Sequence, residues 1–217
     1  MTAVTGARRV EVAPERLAGW IERFGRLHGD VQATGSASTV DLAAADGSTA
    51  QISVPWPPLP PADGDDAVAG LLAHVAARRR LALLLVRRGG YALGLLDGDQ
   101  LTVSKVGSRY VQGRTKAGGW SQQRYARRRA HQAKEAFGAA ADVAARMFLP
   151  AYESIDGLVT GGDRQAVADV LSDPRLLPLA DLPVGPFLAV PDPRKNVLEQ
   201  AAVACRAVRV EVADVTR

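Results

Sequence analysis

Apolar residues recur along this chain with two different periods, and the switches between them outline its elements. Leu17, Trp20, Ile21, Phe24 and Leu27 repeat at helical spacing behind Pro14, whose missing N–H costs little in a first turn. A strand is predicted from Val31 to Ser36. Val40 and Leu42, then Ile52 and Val54, alternate with polar neighbours on either side of Asp46-Gly47, which predicts a hairpin. Five prolines in the seven residues Pro55 to Pro61 end that pattern and mark the best candidate boundary. Val68, Leu71, Leu72 and Val75 predict a second helix ending in Arg78-Arg79-Arg80. Leu81 to Arg87 is a continuous apolar run, as expected of a strand buried on both faces. Tyr91 to Leu96 and Leu101 to Val106 follow it, separated by the turn Asp97-Gly98-Asp99, and complete a three-stranded meander.

A long helix is predicted from Ser121, a residue suited to an N-cap, to the stop at Pro150. Ala126, Ala130, Ala133, Phe137, Ala140, Ala144 and Phe148 form a narrow apolar stripe along it. Arg124, Arg127, Arg128 and His131 fall opposite that stripe at 100° per residue. Beyond it strands and helices alternate: Gly157 to Thr160, Arg164 to Leu171, Phe187 to Val190, Asn196 to Ala204 and Val208 to Val212. Alternation of this kind predicts an α/β fold, a mixed sheet with helices on its faces, plus a small N-terminal αβ unit. The expected organisation is an N-terminal unit at 1–56, a proline-rich linker at 57–66 and a larger domain at 67–217. No internal repeat is present.

Composition excludes several classes. The 47% hydrophobic and 23% charged content are ordinary for a globular chain, and no run approaches the roughly 18 apolar residues of a membrane span. The first residues lack the apolar core of a signal peptide, so a cytoplasmic protein with no membrane partner is expected. Cys205 is a single cysteine, which leaves no disulfide framework and no cysteine-based metal site. His28, His74 and His131 show no ligand spacing, and Asp97 with Asp99 reads as a hairpin tip, so neither metal nor cofactor is expected. Gly161-Gly162-Asp163 lacks the lysine of a phosphate-binding loop, and Asp163 reads as an N-cap.

Charge changes the picture more than composition does. Nine Lys or Arg and no acidic residue lie between Lys105 and Lys134. The remaining 18 cations against 23 acids leave the rest of the chain at −5, so the overall +4 is one concentrated cationic element. Such an element points at phosphates. At its head Gly118-Gly119 permits sharp turns, Trp120 offers a stacking face, and Ser121, Gln122 and Gln123 offer neutral donors and acceptors. No pre-activated nucleophile accompanies them. Catalysis by this loop would rest on placing water and stabilising developing charge, which suits an ester better than an amide.

On these residues the chain, from about Leu81 to Val212, resembles the middle domain of archaeal and eukaryotic class 1 release factors, whose scaffold is ribonuclease H-like. More closely it resembles the release-factor-like peptidyl-tRNA hydrolases of ribosome quality control, the VLRF family, in its actinobacterial branch. Gly118, Gly119, Ser121, Arg124 and Tyr125 fit the family pattern of Gly-Gly-Gln-Ser followed by Arg and an aromatic residue. Trp120 occupies the column where release factors carry their glutamine, and Gln122 or Gln123 stands slightly later. The resemblance implies that the domain at 67–217 is catalytic and acts on peptidyl-tRNA at the large-subunit peptidyl-transferase centre. It implies that one of these glutamines orients water, that Gly118 and Gly119 shape the loop, and that Trp120 packs against nucleotide. Arg109, Arg114, Lys116, Arg124, Arg127 and Arg128 would then hold phosphates of rRNA or tRNA. No stop-codon-reading domain is apparent, so release independent of a stop codon, by a monomer, is expected. The competing reading is a ribosome- or RNA-binding module that keeps the scaffold without the chemistry.

Overall fold

The computed structural model describes residues 7–61, 66–87, 90–108, 135 and 137–215. It divides into unit 1, Met1–Ala77 with Arg206–Arg217, and unit 2, Arg78–Cys205.

Unit 1 is an antiparallel sheet carrying two helices. Strands β1 (Arg8–Val12), β2 (Val31–Gly35), β3 (Thr39–Ala44) and β4 (Thr49–Ser53) come from the first part of the chain, and β9 (Val208–Ala213) from the last. The order is β1-β9-β4-β3-β2, with every neighbouring pair antiparallel. Val40, Leu42, Ile52, Val208, Val210 and Val212 turn inward while Gln51, Arg209 and their kind face out, the period-2 pattern of a half-buried sheet. The β3–β4 hairpin turns at Gly47, whose φ of 89° explains the glycine. Helix α1 (Leu17–His28) follows a 3-10 turn opened by Pro14 and buries Leu17 and Phe24, while Trp20 stacks on Phe24 with ring centroids 5.7 Å apart. Leu27, expected on the apolar face, is instead exposed. Helix α2 (Ala67–Ala76) is capped by Asp66, whose carboxylate accepts from the Val68 and Ala69 amides, and buries Leu71 and Val75 in the same core.

This division differs from the sequence expectation at both ends. The proline run does not separate the units: Leu59 packs against the unit 1 core and its N–H donates to the Ala37 carbonyl at 2.7 Å. Helix α2, placed by sequence in the larger domain, packs in unit 1. So does β9, because three alternating valines complete a sheet face that β1 and β4 leave open between them. Strand β1 had no counterpart in the sequence reading.

Unit 2 holds a four-stranded mixed sheet in the order β7-β6-β5-β8, built from β5 (Arg80–Arg87), β6 (Gly90–Asp97), β7 (Gln100–Ser108) and β8 (Gly157–Gly162). The meander β5-β6-β7 is antiparallel as predicted, and β8 lies parallel to β5. Leu81 to Val86 is buried throughout because both faces are covered. Ala82, Leu84 and Val86 pack with Ala140, Ala144 and Phe148 of α3, the helix described over 137–148, and with α4 (Arg164–Leu171). On the other face a Cβ at Gly94, opposite Leu83, would meet the Leu198 side chain of α5 (Lys195–Ala204) at 3.4 Å. A 3-10 segment, Pro174–Asp181, contributes Leu176 and Leu179 to the first of these cores. The strand expected from Phe187 to Val190 does not form. The segment makes single parallel bridges, Leu158 to Val184 and Gly161 to Leu188, since Pro183 and Pro186 remove the donors a ladder needs. No described helix is long and apolar enough to cross a membrane.

Candidate functional site

Every catalytic and RNA-binding residue expected from sequence, Arg109 to Arg128, lies in 109–134, outside the described residues. What the structure gives is the frame from which that segment leaves and to which it returns. Strands β5, β7 and β8 run in the same direction, so their carboxyl ends share one edge of the sheet. Register places Ser108 opposite Gly90, Gly90 opposite Arg87, and Val86 beside Gly162, a row of residues across all four strands. Segment 109–134 departs at the β7 end of this row. Carboxyl edges of such sheets are where α/β folds place their sites.

The departure is fixed by an aromatic ring. A Cβ on Gly107 would meet the Tyr91 ring at 2.3 Å, so the ring lies directly over the backbone one residue before β7 ends. Tyr91 itself packs against the unit 2 core. The return is fixed by α3. Its described face, Ala140, Ala141, Val143, Ala144 and Phe148, is buried, as the stripe predicted for Ala140, Ala144 and Phe148. Small side chains allow this helix to lie close to the sheet. Arg175 then clamps it from outside, with one guanidinium nitrogen 2.8 Å from Asp142 on α3 and 2.7 Å from Asp173. The Arg175 side-chain hydrogen bond, supported by the Arg175 backbone amide, holds the Asp173 carboxyl at about 2, below its ordinary value.

At the β8 end the same row is closed by Gly162. Its φ is 100°, and a Cβ there would meet the Val86 carbonyl oxygen at 2.2 Å, so no other residue fits. Asp163 caps α4 by accepting from the Gln165 and Ala166 amides, the role its sequence suggested. Arg164 lies 4.0 Å over the Phe187 ring, and Arg87 donates to the Val190 carbonyl at 3.0 Å and ion-pairs with Asp192 at 3.7 Å. Sequence reading missed this cluster. Its partners are 20 or more residues apart, and only the bridges of 184 and 188 to β8 bring them together.

The other candidates resolve into structural roles. Asp97 and Asp99 flank Gly98 at the opposite edge of the sheet, and Arg78 bonds Asp97 at 2.6 Å and lowers its pKa. His28 contacts Asp46 at 3.0 Å, His74 contacts the Pro55 carbonyl at 2.8 Å, and His131 lies outside the described residues. Among the described residues no group of His, Cys, Asp or Glu is arranged to hold a metal.

A family profile described as Actinobacteria/chloroflexi VLRF1 release factor matches residues 79–211, more than half of the chain. The match spans both stems, segment 109–134 and the first four residues of β9. Among solved structures, the Vms1 mitochondrial localization core is 11% identical with a TM-score of 0.46, covering 79% of this chain and 76% of that one. An archaeal translation termination factor, aRF1, is 15% identical with a TM-score of 0.40, covering 94% of this chain and 67% of that one. Likeness at that level carries no functional argument. No curated protein matches the chain in sequence.

Proposed function

The chain belongs to the Actinobacteria/chloroflexi VLRF1 release factor family, and on that premise we propose that it hydrolyses peptidyl-tRNA on stalled ribosomes without reading a stop codon. Segment 109–134 enters the peptidyl-transferase centre of the large subunit. Gln122 or Gln123 orients a water molecule onto the ester carbon joining nascent peptide to the terminal adenosine of tRNA. The water oxygen bonds to that carbon, the ester C–O bond breaks, and the tRNA oxygen leaves with one of the water's protons while the other passes to solvent. The products are a peptide carboxylate and deacylated tRNA. Gly118 and Gly119 let the backbone turn at the tip, and Trp120 packs against nucleotide. Arg109, Arg114, Lys116, Arg124, Arg127 and Arg128 hold rRNA or tRNA phosphates, which position the protein without reading sequence. The protein acts as a monomer in the cytoplasm.

The observation that carries this reading is that the family match spans a segment that leaves from the carboxyl end of β7 and is followed by a helix buried on a face of the same sheet. Two held stems are what a water-positioning loop needs, since a displacement of about 1 Å can cost on the order of 10²-fold in rate. Gln122→Ala and Gln123→Ala, measured separately for peptide release from ribosome-bound peptidyl-tRNA, provide the test. One of the two should lose release by about 10²-fold with binding intact. If both release as fast as the unaltered chain, the glutamine mechanism is wrong. Trp120 in the glutamine column favours a second reading, a binding module on the same scaffold. That reading requires the unaltered chain to bind ribosomes and release nothing.

A further inference from the structure

We propose that Arg164, held over the Phe187 ring, forms a second phosphate-binding platform for RNA, distinct from the basic segment 105–134. The proposal rests on the ribosomal setting above for the source of the RNA. Its physical basis is the rigidity of the cluster. Leu188 donates to the Thr160 carbonyl at 2.9 Å and accepts from the Gly162 amide at 2.9 Å, which stitches the 184–190 strap to β8. Phe187, next to Leu188, therefore has a fixed ring, with the unit 2 core packed against it and the Arg164 guanidinium 4.0 Å from its centroid. A guanidinium held over a fixed aromatic ring is already partly ordered, so it loses less freedom on binding a phosphate than an unsupported side chain does.

The neighbouring carboxylates have hydrogen-bond or ion-pair partners other than Arg164. Asp163 is occupied by the amides of Gln165 and Ala166, Asp169 accepts from the Gln165 side chain, and Asp192 faces Arg87. Among the described residues no carboxylate forms an ion pair with Arg164, which is exposed. Arg194 and Lys195 follow in the same stretch and are exposed as well.

Position favours RNA over an acidic protein. Arg164 begins two residues beyond the β8 end of the row whose β7 end releases segment 109–134. Three strand spacings separate those ends, about 14 Å. A single basic element lets a docked protein pivot about it; a second phosphate contact at this distance removes that freedom.

The experiment uses the full chain, labelled, titrated with empty large subunits and with large subunits carrying peptidyl-tRNA, over a range of salt. Arg164→Gln should weaken binding by roughly 3- to 10-fold. It should also lower the slope of log affinity against log salt by about 0.7 to 0.9. Arg164→Lys should keep the slope and lose only part of the affinity, and Phe187→Leu should weaken binding with the charge unchanged. Weakening on empty subunits assigns the phosphate to rRNA; weakening only when tRNA is present assigns it to tRNA. Unchanged affinity and slope in Arg164→Gln would overturn the platform, and so would weaker binding with an unchanged slope, which indicates a protein contact. Absence of release by the unaltered chain, with this binding pattern intact, counts against the proposed hydrolysis alone and leaves the platform standing.

Discussion

Asp46 shows how much one side chain in this protein holds. One carboxylate oxygen accepts from the Ser48 amide at 2.9 Å and the other contacts His28 Nδ1 at 3.0 Å, while His28 Nε2 lies 3.6 Å from Asp214, itself bonded by Arg8. The Ser48 backbone hydrogen bond, then the contact with His28, brings the Asp46 carboxyl from 3.8 to about 2. A carboxyl depressed in the folded state stabilises it above the ordinary value and loses that contribution as pH falls towards the folded one. Asp46→Asn should therefore lower the thermal midpoint of unit 1 at pH 7, and the gap from wild type should close between about pH 4 and about pH 2. A gap that stays constant across that window would show that the charge is not what matters. Asp163 works by the same backbone chemistry, and its capping role was visible in sequence because it needs only neighbours. Arg164 over Phe187 was not, because nothing local connects them.

Among the elements, α3 ties the segment proposed to carry the chemistry to the sheet that supports it. Phe148 is fully buried at its far end, so Phe148→Ala should destabilise unit 2 by about 3–5 kcal/mol, read as a lower denaturant midpoint. A loss under 1 kcal/mol would mean that α3 is not anchored through this ring. The buried face of α3 was legible from its three- and four-residue repeat, as were β3, β4, the meander and the continuous apolar run of β5. Two elements misled. Phe187 to Val190 has the apolar content of a strand, but the prolines around it allow only single bridges. Leu27 keeps the period of α1 yet lies beyond the reach of the core, and is 71% exposed. Periodicity reports which face is apolar; it does not report where the partner surface stops.

At the scale of the molecule, the sequence reading correctly placed a mixed sheet with helices on its faces and an αβ companion, and misassigned which unit owns α2 and β9. Sheet order is a non-local property: the alternating valines of β9 are satisfied equally well by either sheet until β1 and β4 are seen to flank them. Deleting 206–217 should therefore expose the amides of β1 and β4 to rapid hydrogen exchange while β5 and β6 stay protected. Protection of β1 and β4 after the deletion would show that unit 1 closes without its fifth strand. The same arrangement imposes an order on biosynthesis. Unit 2 is continuous along the chain and has all its strands once Cys205 has emerged, whereas unit 1, begun first, has to wait with an open gap in its sheet until the strand made after unit 2 clears the exit tunnel. A nascent copy paused anywhere in unit 2 presents an unfinished sheet to the cell.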